Sequence, residues 1–325
     1  MKTNVLSRRL KFITPKEHVN MTLMIRFLVL IPLVLLVFQP IEAKQFTIKV
    51  GVDLVNVLFT VTDKKGKLIS NLGPDEFTVQ EDGKSQTIQH FARENELPLT
   101  LALLIDTSPS VRPIFDEEKR TAVHFLESIL RKQDLALIIG FDRSVTLVQD
   151  FTENAHLLGD AVYSLDIGSG TSVYDAVYLA SEEKLLHEAG RKAIIMISDG
   201  EDTTSRIDRN EALVAAHQAN AVIYAISNSP PRRNFLGRRR SGDIKLLKNL
   251  SEETGGTVFL LDRKSNFEQI FSKIAEELRT QYSLGYVSTN SKRDGQYRRV
   301  KIVPRNKDLI VRARKGYYAL DENNN

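Results

Sequence analysis

Residues 99–110 read LTLALLIDTSPS, and the fold follows from them. From Leu99 to Ile105 the run is almost wholly apolar, with no polar alternation. That is the pattern of a strand covered on both faces, as in the interior of a parallel sheet flanked by helices. The run stops at a carboxylate, Asp106, and passes at once to Thr107, Ser108, Pro109 and Ser110. Ligands of open α/β sheets bind beyond the carboxyl ends of the strands, so this polar step is the first place to look for function.

Downstream, strands and helices alternate. A helical pattern over 115–131 leads to DLALIIGF (134–141), a turn at Asp142-Arg143 and SVTLVQDF (144–151). Helix 154–164, the loop DIGSGTS (166–172), helix 173–188 and RKAIIMISD (191–199) follow. Helix 208–219, AVIYAIS (221–227), helix 242–253, TVFLL (257–261) and helix 266–280 complete the series. Buried strands alternating with amphipathic helices predict an α/β domain over 98–280 with a doubly wound, mostly parallel sheet.

Both flanks change period. Val55, Val57, Phe59 and Val61 alternate with other residues, then come a turn at 63–67, EFTVQ (76–80), a turn at Glu81–Lys84 and SQTIQHF (85–91). Beyond the α/β unit lie QYSLGYV (281–287), the turn 292–295, QYRRVKIVP (296–304) and LIVRARKGYYA (309–319). These period-two segments, 44–97 and 281–319, are expected to pair as one small β module. Residues 320–325 read as a disordered tail.

The N-terminus reads differently again. FLVLIPLVLLVF (27–38) follows Arg26 and is succeeded by Gln39-Pro40-Ile41-Glu42-Ala43. A basic start, a short apolar centre and a small residue predict a signal peptide over 1–43, cleaved after Ala43. Twelve apolar residues fall short of the ~20 that a membrane-spanning helix needs. The protein is therefore expected to be exported, periplasmic or secreted, with an uncleaved N-terminal segment as its one route to membrane anchoring. Absence of cysteine excludes a disulfide framework and a zinc–thiolate site.

The net charge of +4 matches that of residues 1–43, which carry six basic and two acidic side chains. Residues 93–280 hold 23 basic and 29 acidic groups, and 281–325 hold ten and four. An acidic centre is the wrong surface for a nucleic-acid partner. Arg232, Arg233, Arg238, Arg239 and Arg240 form one basic loop, read either as a solvated loop or as a rim that attracts acidic ligands.

Three strand ends carry the chemistry: Asp106-Thr107-Ser108-Pro109-Ser110, Gly170-Thr171-Ser172 and Asp199-Gly200-Glu201-Asp202. All offer oxygen, and none includes His or Cys. Hard divalent cations prefer such donors, and two carboxylates with three hydroxyls leave a coordination position for a partner's acid. A serine nucleophile needs a neighbouring base, and no G-x-S-x-G elbow occurs, so an enzyme is not expected. Asp142 reads as a turn residue, while Glu201 and Asp202 read either as site rim or as solvated loop carboxylates.

D-T-S-P-S at 106–110, with G-T-S at 170–172 and I-S-D-G at 197–200, resembles the von Willebrand factor type A domain bearing a metal-ion-dependent adhesion site. The resemblance covers about 98–280. It implies that Asp106, Ser108, Ser110, Thr171 and Asp199 surround one divalent cation, Mg²⁺ first, with Mn²⁺ or Ca²⁺ as alternatives. It also implies a protein partner with an exposed Asp or Glu. VNVLFTVTDKKGKLISNLGPDEFTVQEDGK (55–84), YSLGYV and VRARKGYYA (311–319) are similar to the flanks of VWFA-related exported proteins of the acidobacterial type. A structural or envelope-assembly role, with the same domain used for docking, is the alternative to adhesion.

Overall fold

The computed structural model describes residues 54–93, 97–228, 242–261 and 266–319. The expected signal peptide, the basic loop 232–240 and the tail 320–325 lie outside them. Six strands form the central sheet: β5 (Leu99–Asp106), β6 (Leu135–Phe141), β7 (Val145–Thr152), β8 (Arg191–Ser198), β9 (Ala221–Ser227) and β10 (Val258–Leu260). Their order is β10-β9-β8-β5-β6-β7, with β5 and β8 inside and only β7 antiparallel to its neighbour.

The apolar run of β5 is explained by what lies on its two faces. Leu99, Leu101, Leu103 and Ile105 pack with α1 (Phe115–Ile129), α2 (Ala155–Tyr163) and α6 (Phe267–Arg279). Ala102 and Leu104 face the opposite core, with α3 (Val173–Tyr178), α4 (Arg209–Gln218) and α5 (Gly242–Thr254). Each buried leucine contributes roughly 1.5–3 kcal/mol by leaving water. Two apolar cores therefore fix both faces of the sheet and, with them, the position of its carboxyl edge.

The helix expected over 173–188 is not uniform. After Tyr178 the chain takes a π-helical turn over Leu179–Leu185. The carbonyls of Leu185 and Leu186 at its end receive hydrogen bonds from the buried Lys192 Nζ, at 3.1 and 3.3 Å.

Strands from the two ends of the described chain interleave in two antiparallel sheets. One has the order β13-β1-β11-β4, built from β1 (Leu54–Asp63), β4 (Ile88–Arg93), β11 (Tyr282–Val287) and β13 (Leu309–Ala313). The other has the order β14-β12-β2-β3, from β2 (Phe77–Glu81), β3 (Lys84–Gln86), β12 (Tyr297–Pro304) and β14 (Gly316–Tyr318). Phe59, Phe77, Phe91 and Tyr282 pack as one aromatic cluster drawn from both sheets, with ring centroids 5.1–6.2 Å apart. The turn between β2 and β3 is Asp82-Gly83, both at positive φ, the geometry that suits a tight hairpin.

Two expected single strands are broken. SQTIQHF divides after Gln86, whose buried amide is fastened to Thr289, and its second half crosses to pair with β11. LIVRARKGYYA divides at Arg314-Lys315. There the chain is clamped to the α/β unit: Arg314 Nη1 donates to Asn220 Oδ1, and Lys315 N donates to the Glu253 carbonyl at the end of α5. The clamp lifts these two residues out of the pairing with β1 and delivers β14 to β12.

Candidate functional site

Asp106 closes β5 and is buried at the sheet's carboxyl edge. Its Oδ1 accepts from Ser108 N at 2.8 Å, which turns the chain back over the carboxylate. Its Oδ2 accepts from the Ser198 hydroxyl, the last residue of the adjacent strand β8, at 2.7 Å. The hydroxyls of Ser108 and Ser110 lie 2.9 Å apart. Pro109 starts a 3-10 turn, Pro109–Ile114, that feeds directly into α1. The three first-loop residues named from sequence are thus brought together, with Asp106 and Ser108 buried and Ser110 exposed.

Backbone ties bring the second loop to the first. Thr107 N donates to the Phe141 carbonyl at the end of β6, and Gly168 N donates to the Thr107 carbonyl, each at 2.8 Å. Ser169 N donates to Asp142 Oδ2, and Ser144 N to Asp142 Oδ1. Asp142 is therefore spent on the turn and on this loop. A Cβ added at Gly168 would stand 1.8 Å from Asp142 Oδ2, so only glycine permits the approach.

Thr171 is buried and tied to the third loop. Its N donates to Thr203 Oγ1 at 3.0 Å, and its carbonyl accepts from Thr203 N and Thr204 N. Asp202, open in the sequence reading between rim and solvent, sits at the start of α3 and accepts from Val173 N at 2.7 Å and from Ser205 Oγ. A carboxylate there satisfies an otherwise orphaned amide and complements the helix dipole. Asp175 Oδ1 accepts from Arg206 N and Ile207 N and holds the far end of the same loop.

Asp199 follows β8 and is partly exposed; its Oδ1 accepts from Glu201 N at 3.2 Å. Burial raises the Asp106 carboxyl to about 6, against the bonds from Ser198 and Ser108, and the charge of Asp199 adds to the rise. The two carboxylates therefore feel each other across the edge. Among the described residues no three His, Cys, Asp or Glu gather as a metal-holding group. Asp106, Ser108 and Ser110 meet at this edge, and Thr171 is tied by its backbone to the loop that follows Asp199. All five side chains carry oxygen, the donor type that a hard divalent cation prefers. Sequence reading missed Ser198, Asp175 and the structural use of Asp202. Each acts on a partner distant in sequence, and only the adjacency of Ser198 to Asp199 pointed to one of them.

The von Willebrand factor type A domain family model matches residues 100–273. An uncharacterised protein of Borreliella burgdorferi is 20% identical over 230 residues, covering 64% of this chain and 62% of that protein. The chain thus spans about 62% of that relative's length. BatB from Bacteroides thetaiotaomicron, a conserved hypothetical protein, is similar in structure at a TM-score of 0.46 and 18% identity, over 55% of this chain and 97% of that one. The vWF domain of the type V pili tip protein Mfa5 from Porphyromonas gingivalis gives 0.42 and 14%, over 55% and 94%. Proximal thread matrix protein 1 from the mussel byssus, solved with a zinc-occupied MIDAS motif, gives 0.45 and 16%, over 60% and 48%. With the family model spanning more than half of its length, this chain belongs to the von Willebrand factor type A domain family.

Proposed function

We propose that this chain is an exported, non-enzymatic binding module that captures an acidic group of a protein partner at a divalent cation held by Asp106, Ser108, Ser110, Thr171 and Asp199. The observation that carries the reading is the braced carboxylate: Asp106, buried, fixed by Ser108 N and Ser198 Oγ, with the paired hydroxyls of Ser108 and Ser110 beside it. Mg²⁺ suits this set best, with Mn²⁺ or Ca²⁺ as substitutes. When bound, the cation supplies positive charge and a coordination position for the partner's carboxylate.

The chain's own part is positioning. Ser198 and Ser108 N hold the Asp106 carboxylate at the floor, and the ties among Thr107, Gly168, Thr171 and Thr203 hold the three loops at one edge. Ser110 and Asp199 are the more exposed members of the set, which supports their access to a partner's acid. The Ser108 hydroxyl is engaged with that of Ser110, not with a base, so the arrangement supports capture over hydrolysis. Export rests on the apolar run 27–38 and the small residue Ala43. Among the described residues no helix is long and apolar enough to cross a membrane.

Titration of the protein with Mn²⁺, followed by electron paramagnetic resonance and water-proton relaxation, tests the reading. Bound Mn²⁺ that loses coordinated water when acetate is added is the expected result. Mn²⁺ that does not bind, or that keeps its water in acetate, contradicts it.

A further inference from the structure

Glu118 projects from α1 into the core and is wholly buried. Its Oε2 accepts one hydrogen bond, from Asn228 Nδ2 at 3.2 Å. Its Oε1 has no partner, and neither has Asn228 Oδ1, although Asn228 is also buried. Among the described residues no cation pairs with Glu118. An ionised carboxylate in that position would keep a full charge out of water on the strength of one neutral hydrogen bond, which is strongly unfavourable. A protonated one removes the charge, and its hydroxyl supplies the donor that the Asn228 carbonyl oxygen lacks. Acid and amide then satisfy one another. Burial drives the Glu118 carboxyl well above the usual range, the bond from Asn228 opposes this, and the charge of Asp106 adds to it.

The pair lies at one end of a path to the candidate site. Asn228 N donates to the Ser198 carbonyl at 3.3 Å, and the Ser198 hydroxyl donates to Asp106 Oδ2 at 2.7 Å. Helix α1, the end of β9, the end of β8 and the end of β5 are joined in that order. We infer that Glu118 is a neutral carboxylic acid paired with Asn228, and that this acid–amide pair is a positioning device that holds Ser198, and through it Asp106, beneath the cation site. The second half rests on the cation reading proposed above.

An ionised Glu118 would repel the Asp106 carboxylate, whereas the neutral acid fixes geometry without adding charge. Outer groups that orient metal ligands change metal affinity by roughly 10–100-fold when removed.

Isotope-edited infrared difference spectra of the full chain at neutral pH, wild type against Glu118→Gln, test the protonation state. Loss of a protonated-carboxyl carbonyl band in the variant is expected; loss of a carboxylate band alone overturns the inference. Mn²⁺ titration of folded variants tests the positioning. Glu118→Gln, neutral and of the same shape, should bind Mn²⁺ as the wild type does, while Glu118→Ala and Asn228→Ala should each bind it about tenfold more weakly. Wild-type affinity in a folded Glu118→Ala or Asn228→Ala protein overturns the positioning role. Failure of the wild type to bind Mn²⁺ would instead remove the cation reading, and the infrared comparison would still decide the state of Glu118.

Discussion

Ser198 and Asp106, 92 residues apart, meet across the β5–β8 pair, where the serine hydroxyl donates to the carboxylate at 2.7 Å. The same hydroxyl accepts from Gly200 N at 3.1 Å, so one oxygen fixes both the floor of the site and the start of its third loop. Removing the donor leaves a buried acceptor underused. Ser198→Ala is expected to cost about 1.5–3 kcal/mol of stability, the range for bonds to charged groups, and to weaken cation binding about tenfold. Denaturant unfolding and a Mn²⁺ titration of the same preparation check both; unchanged values in both would remove Ser198 from the site.

Asp202 acts on the second loop through the first turn of α3. Asp202→Ala frees Val173 N and the Ser205 hydroxyl together, and is expected to cost about 1 kcal/mol, as for loss of a helix cap. Asp202→Asn keeps an acceptor and should recover most of it. Urea unfolding midpoints of the two variants measure the difference.

His217, buried on α4, lies edge-on to the rings of Tyr297 and Tyr318 at 5.7 and 6.2 Å. Burial, and then the charge of Arg314, push its pKa from 6.5 down to about 4. Between those values the unfolded chain holds a proton that the folded chain does not. The contribution is therefore complete above pH 6.5 and is lost as the pH falls towards 4, by about 3 kcal/mol. Unfolding free energies measured across that interval should fall with acid in the wild type and fall less in His217→Phe.

Gly255 ends α5 at φ +90, and a Cβ there would lie 2.6 Å from Arg314 N and 2.8 Å from Ala313 C. Both neighbours are backbone and cannot swing aside. Gly255→Ala is expected to cost on the order of 2–3 kcal/mol through strain and displacement of the 313–315 clamp. Calorimetric melting would show it; a variant as stable as wild type would mean that the clamp is not what orients β14.

Much of this architecture is legible in the sequence, for physical reasons. An interior parallel strand must be apolar on both faces, so LTLALLID announces its place. Asp106, Ser108 and Ser110 are legible because a strand that ends in a carboxylate and hydroxyls concentrates polar groups at one point. Glu118, Asn228 and Ser198 are not, because each has meaning only beside a residue about a hundred positions away. A glutamate within DEEKR on an amphipathic helix reads as solvated, and nothing local shows that this one turns inward. The two broken strands were illegible for the related reason that alternation sets the faces of a strand but not its partner. The division of LIVRARKGYYA depends on the carbonyl of Glu253 and the side chain of Asn220, in other elements altogether.

The proposed function stands on one divalent cation held by Asp106, Ser108, Ser110, Thr171 and Asp199. Isothermal titration of the purified protein with Mg²⁺, Mn²⁺ and Ca²⁺, beside Asp106→Ala and Asp199→Ala, measures that binding. Saturable binding to a single site in the wild type, lost in both folded variants, is the predicted result. A folded wild type that takes up none of the three cations, or binding that survives both substitutions, would contradict it.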